Sequence, residues 1–227
     1  MIGVTENLVI IKDFLASSAI EVDRDPQAVK LLAVSKKQSI SKIIDAANAG
    51  QRDFGENFVQ EGLEKIAQTR NMDLVWHFIG RLQNNKTRSV AENFDWVHTI
   101  DNPKTARRLS EQRPESLGPL NICLQINIDK ELGKSGIDVS TLSELASICA
   151  QLPNIALRGL MCLPAVRTEF TNQRAPFKQL KELADELRSG GIDIDTLSMG
   201  MSGDYRAAIF EGSTIVRIGT ALFGERH

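Results

Sequence analysis

The chain has 227 residues, with 27 Lys+Arg against 29 Asp+Glu for a formal charge of −2, 42% hydrophobic and 25% charged residues. It is long enough to bury a core without disulfides or a structural metal, and the near-neutral balance argues against holding nucleic acid or an acidic membrane surface through a general electrostatic field. The apolar runs end well short of the roughly 20 residues that span a bilayer, and the odd set Cys123, Cys149 and Cys162 lies in apolar stretches, as buried, reduced thiols of a cytoplasmic protein do.

The first segment, MIGVTENLVIIKDFL, carries Glu6 and Asp13 and reads as an amphipathic helix rather than a signal peptide. Short β-rich runs follow at residues 29–35, 52–55, 74–79, 96–100, 120–126, 156–162, 196–199 and 214–218. They alternate with helical stretches, the pattern of a parallel α/β architecture, and eight is the number of strands in a TIM barrel. Ile40, Ile43, Ile44 and Ala47, like Leu142, Leu145, Ala146 and Cys149, put apolar groups on one helical face. Ser39, Asn102 and Thr141 stand at N-cap positions and Gly50 follows a helix end. The last run leaves only ALFGERH behind it, so the extra N-terminal helix is expected to fill the missing place in the outer ring. Residues 113–119, 129–136 and 164–174 read as loops. The expectation is an α/β fold: one (β/α)8 TIM barrel domain over residues 1–227, monomeric.

In such a barrel, functional groups gather where strands end, and a phosphate site forms after strands seven and eight. The segment Ser198-Met199-Gly200-Met201-Ser202-Gly203-Asp204, running into a helix over residues 205–211, and the segment Arg217-Ile218-Gly219-Thr220 fit that place. Taken alone, Ser202 reads as an N-cap and Gly219 as a turn glycine; their pairing points to a phosphate held without lysine. At the end of the first strand Lys36 and Lys37 fall on opposite faces by strand alternation. One of them enters the barrel mouth, where partial desolvation lowers its pKa and frees the amine to attack an aldehyde. A phosphate site opposite suggests pyridoxal phosphate, and parity alone leaves the choice of lysine open. His77, His98, Glu56 and Asp101 could in principle surround a metal, but no His-x-His or His-Glu-x-x-His spacing fixes two ligands on one element. Both histidines lie in apolar strands, where a hydrogen-bonded structural role is expected. Lys130 and Lys134, in DKELGK, read as a solvated loop over the mouth.

Seven motifs occur in order: VSK (34–36), FGEN (54–57), WHFIGRLQNNK (76–86), KSG (134–136), RGLM (158–161), LSMGMSGD (197–204) and VRIGTALFG (216–224). Together they resemble the signatures of the pyridoxal phosphate homeostasis proteins over nearly the whole chain. The resemblance implies a barrel similar to the N-terminal domain of alanine racemase, with Lys36 rather than Lys37 holding pyridoxal phosphate as an aldimine. It further implies that Ser202, Gly219 and Thr220 hold the phosphate, that Arg217 faces the pyridine nitrogen, and that Asn57 and Met161 line the ring pocket, with His77 a weaker candidate. The implied role is cofactor capture and release to apo-enzymes in vitamin B6 and amino-acid or keto-acid homeostasis, without catalytic turnover. The alternatives are a one-domain amino-acid racemase, which would need a second base although the only tyrosine, Tyr205, lies in the expected phosphate-helix region, and a metal-dependent barrel hydrolase.

Overall fold

In the computed structural model, which describes residues 3–224, the apolar runs form strands β1 (Lys30–Val34), β2 (Asp53–Glu56), β3 (Val75–Phe78), β4 (Trp96–Ile100), β5 (Leu120–Ile126), β6 (Ile155–Cys162), β7 (Thr196–Met201) and β8 (Ile215–Ile218). They pair in chain order, and β8 returns parallel to β1, with Leu32 opposite Arg217, to close the barrel. Each boundary lies within about two residues of the sequence expectation, the margin at which strand ends are ordinarily legible.

The outer layer comprises α1 (Val4–Ile20), α2 (Ile40–Asn48), α3 (Val59–Gln68), α4 (Thr87–Asn93), α5 (Pro103–Gln112), α6 (Leu142–Ala150), α7 (Phe170–Ser189), α8 (Tyr205–Phe210) and α9 (Thr220–Phe223). As expected, α1 takes the vacant place in the ring, packing on α2, α8 and α9. Leu8, Ile11, Leu15 and Ala19 are its buried face, and the Asn7 amide donates to the Leu222 carbonyl at 3.0 Å. Its amphipathicity is incomplete, because Val9, Ile10, Phe14 and Ile20 remain exposed.

Strand side chains alternate between faces, and the two faces have different chemistry. The main apolar core fills the layer between strands and helices. A separate small apolar cluster of Trp96, Cys123 and Met161 forms inside the barrel, beside the buried polar groups His77, His98, Ser198 and Arg217. All three cysteines are free and buried, and burial pushes each thiol up to about 12.

Three local expectations need correction. The stretch 164–174 is not wholly loop, since α7 begins at Phe170 and accommodates Pro176 within it; a helix-breaking residue that far inside the pattern hides the true start. Ser39 and Thr141 occupy N-cap positions without side-chain caps, whereas Asn102 accepts from the Thr105 N–H at 2.8 Å. The helix expected over 205–211 stops at Phe210.

Candidate functional site

The C-terminal mouth is built by the way two strands end. At the end of β7, Gly200 adopts φ 95°, and a Cβ there would lie 2.7 Å from the Ala208 side chain. Only glycine lets the strand turn this closely against α8. The following turn is closed by Asp204, whose N–H donates to the Met201 carbonyl at 3.1 Å and whose carboxylate accepts from the Met201 N–H at 2.6 Å. Asp204, not Ser202, therefore stands at the N-cap of α8, which leaves Ser202 exposed at the mouth. At the end of β8, a Cβ on Gly219 would meet the Val34 carbonyl at 3.1 Å, so the missing side chain brings β8 close against β1.

The first strand stops at Val34. The Gln38 N–H donates to the Ser35 carbonyl at 3.0 Å, which makes Lys36 and Lys37 the middle of a turn, with Lys37 at φ 57°. Strand alternation thus does not govern these two lysines, contrary to the sequence reading. The turn separates them instead: Lys36 is half-buried and lines the mouth, while Lys37 is exposed and its N–H is held by Glu61 Oε1 at 2.5 Å. Beneath the turn, Lys65 Nζ donates to the Ser35 carbonyl at 2.7 Å, to Glu56 Oε1 at 2.8 Å and to Glu61 Oε1 at 2.6 Å. Burial raises the Glu56 carboxyl, and its bonds from Lys65 and Ser35 only partly offset this.

Lys36, Asn57, Met161, Ser202, Arg217, Gly219 and Thr220 all line one cavity of about 270 Å³, with Val34, Ile79, Leu163, Met201 and Gly203 completing it. Those five carry no signal of their own, being apolar or small side chains that any barrel mouth needs. The cavity is near the lower end of small-molecule sites, roughly 300 Å³ and up. Asn57 Oδ1 is buried with no hydrogen-bond partner among the described residues, a position that a polar ligand atom would satisfy. Lys36 and Arg217 are the titratable side chains of the lining. Two wider cavities adjoin it, of about 850 and 420 Å³, and share Asn57 with it. Lys134 lines the smaller of these and pairs with Glu131, while Lys130 is exposed.

His77 is not in the lining but reaches it through a buried chain. Arg217 Nη1 donates to the Ser198 carbonyl at 2.6 Å and to Ser198 Oγ at 2.8 Å, and Nη2 donates to the Cys162 carbonyl at 2.9 Å. Ser198 Oγ lies 2.8 Å from His98 Nδ1, His98 Nε2 lies 2.9 Å from His77 Nδ1, and His77 Nε2 lies 3.0 Å from Asp53 Oδ1. Lys30 Nζ reaches the same Asp53 oxygen at 3.0 Å. Burial pulls both imidazoles below their ordinary range, His98 furthest, with His77 and Arg217 adding to the effect. At Asp53 burial works upward, and His77 and Lys30 outweigh it, holding the carboxyl below its usual value. Motif reading missed Asp53 and placed Ser198 only in the phosphate segment, because the two belong to different strands; their signal is polarity at inward-facing positions. The four candidate metal ligands are not brought together: the histidines bond each other, Glu56 lies under the Lys36 turn, and Asp101 lines the widest cavity. Among the described residues no group of three or more His, Cys, Asp or Glu side chains could hold a metal ion.

A parallel eight-stranded barrel carrying a lysine opposite two small-residue turns at its C-terminal mouth defines the class described as alanine racemase, N-terminal domain, which matches residues 21–227. The protein of Vibrio cholerae named pyridoxal phosphate homeostasis protein is 51% identical over 230 residues, covering 100% of this chain and 98% of its own. That of Escherichia coli K12 with the same name is 49% identical over 229 residues, with the same coverage. The chain belongs to the pyridoxal phosphate homeostasis protein family. Among solved structures, PipY of Synechococcus elongatus without pyridoxal phosphate superposes with a TM-score of 0.87 at 36% identity, covering 97% of this chain and 100% of that one. PipY with pyridoxal phosphate bound gives 0.81 at 37% identity, covering 92% and 100%. Alanine racemase of Corynebacterium glutamicum, at 19% identity and TM-score 0.69, covers 95% of this chain and 61% of that one and shares the fold.

Proposed function

We propose that this protein binds pyridoxal 5'-phosphate reversibly at the barrel mouth, through Lys36, and serves vitamin B6 homeostasis as a carrier that keeps the aldehyde in reserve for apo-enzymes. The observation that carries the reading is the convergence of Lys36, Arg217, Asn57, Met161, Ser202, Gly219 and Thr220 on one cavity. The residues suit the group: a half-buried amine for the aldehyde, hydroxyls of Ser202 and Thr220 beside Gly203 and Gly219 for the phosphate, and an unsatisfied Asn57 amide oxygen and the buried Met161 for the ring. Bound pyridoxal phosphate supplies an aldehyde carbon that condenses reversibly with primary amines.

The same lining favours storage over catalysis. Arg217 only donates, so facing the ring nitrogen it would supply no proton and leave the ring a poorer electron sink, a feature the resemblance to alanine racemase implies there too and which does not by itself forbid chemistry. Racemisation needs a second base on the opposite face, and Lys36 and Arg217 are the titratable groups present. The single tyrosine, Tyr205, belongs to α8, half-buried against the main core, and burial raises its hydroxyl further.

Borohydride reduction of protein loaded with pyridoxal phosphate, followed by peptide mapping, tests the site. A pyridoxyl group on Lys36, lost in Lys36→Ala, is expected; a loaded protein that is not modified at Lys36 refutes it. Incubation with alanine in deuterium oxide tests the carrier role, for which no sustained exchange of the α-proton is expected, and steady turnover would make the protein a racemase.

A further inference from the structure

A buried guanidinium ordinarily has a carboxylate beside it, yet Arg217, only 4% exposed, has no hydrogen bond to a carboxylate among the described residues and feels Asp204 only through its charge. Its direct partners are two carbonyls and the Ser198 hydroxyl. The nearest carboxylate connected to it by hydrogen bonds is Asp53, at the first position of β2 and so at the opposite, N-terminal end of the barrel.

We propose that Ser198, His98, His77 and Asp53 are positioning residues for Arg217, joined in a one-way hydrogen-bond relay through the barrel that holds the guanidinium as a fixed donor beneath the mouth cavity. The proposal rests on the cofactor reading above, because the ring nitrogen is the acceptor that this donor would serve.

The direction follows from proton counting. Arginine has no acceptor, so Ser198 Oγ accepts from Arg217 Nη1, which leaves its own proton free to turn toward His98 Nδ1 at 2.8 Å. His98 then carries its proton on Nε2 and donates to His77 Nδ1. His77 likewise carries its proton on Nε2 and donates to Asp53, whose ionised carboxylate can only accept. In this direction every donor along the path has an acceptor and each ring carries one proton. Both rings are therefore neutral, and both are the same tautomer. Reversal would place a second proton on His77, whose Nε2 already donates to Asp53, and so would need a charged imidazole buried in the barrel. A proton entering at the Asp53 rim thus stops short of the ring nitrogen, consistent with storage rather than electron-sink chemistry.

The test combines the wild-type chain with one substitution. In protein labelled with 15N-histidine, free of cofactor, the rings of His77 and His98, assigned with His77→Gln and His98→Gln, are expected to be neutral with the proton on Nε2 from pH 6 to 8. A charged ring or a proton on Nδ1 at either position overturns the relay. Ser198→Ala is expected to raise the Kd for pyridoxal phosphate about tenfold, as loss of one hydrogen bond to a charged group does, and to move the pH midpoint of the loaded protein's visible band while borohydride still labels Lys36. Ser198→Thr, which keeps the hydroxyl, is expected to restore both. An unchanged Kd and midpoint in Ser198→Ala overturns the positioning role. If borohydride never labels Lys36 in the wild type, the cofactor reading itself falls and takes the relay's role at the ring with it.

Discussion

Lys36 owes its position to a side chain thirty residues beyond its neighbour Ser35. Lys65 ties the Ser35 carbonyl to the Glu56 and Glu61 carboxylates, and its side chain is only 7% exposed, with Glu56 fully buried. Lys65→Met keeps the stem and removes the charge, which leaves Glu56 buried without a counter-ion. A loss of about 3–5 kcal/mol is expected, read by urea denaturation at pH 8, together with weaker pyridoxal phosphate binding as the Lys36 turn loosens. Adding Glu56→Gln should recover much of that loss; a cost below about 1 kcal/mol for Lys65→Met alone would mean that water already solvates the pair. The sequence marked Glu56 as part of FGEN and as a candidate metal ligand and did not mark Lys65, because an i,i+4 Glu61–Lys65 pair on a helix reads as surface charge. Its burial depends on how α3 packs on β2.

Among the helices, α1 was legible as a helix but not in its exposure. Its buried stripe closes the ring where a β/α repeat would otherwise supply a helix, so Leu8→Ala, at a site 1% exposed, is expected to cost about 2–5 kcal/mol. Phe14→Ser, at a site 57% exposed, is expected to stay within about 0.5 kcal/mol. Parallel thermal melts of the two variants check the pair, and equal losses would show that α1 is buried on both sides in solution. The strands were read more accurately than the helix starts. Buried parallel strands advertise themselves as continuous apolar runs, whereas the first turn of α7 carries Thr171, Asn172, Gln173 and Arg174 ahead of Pro176 and resembles a loop until it is docked.

At the scale of the molecule, the buried histidines set an acid limit. Histidine in the unfolded chain titrates near 6.5, and in the fold both rings titrate lower. Asp53 and Asp95 favour a charge on His77, Lys30 opposes it, and Arg217 opposes one on His98. Below about pH 6.5 the unfolded chain therefore binds protons that the folded chain refuses, and stability falls as pH falls, by about 1.4 kcal/mol per ring per pH unit until the folded values are reached. Glu56, raised in the fold, acts with the opposite sign at pH above the ordinary glutamate value near 4.3. Urea midpoints between pH 5 and 8 check the net slope, which His98→Gln should roughly halve; a flat profile would mean that the rings titrate in the fold as they do in the unfolded chain.

Local pattern was enough to establish the eight strands, their parallel sense, the N-terminal helix, and the small-residue segments after β7 and β8 that bear Ser202 and Gly219, because strand period, helix period and glycine placement are written within a few consecutive residues. Motif resemblance added Lys36 over Lys37 and the roles of Arg217, Asn57 and Met161. Only the tertiary structure decided that Lys36 and Lys37 part company at a turn, that Lys65 is buried beneath them, and that Asp53, His77, His98, Ser198 and Arg217 touch in one line. Those five come from β2, β3, β4, β7 and β8. Their contacts depend on closure of the barrel and on the register of each parallel pair, including the shift between Ser198 and Met201 on β7, and a register set by packing across the whole ring leaves no trace within any single strand.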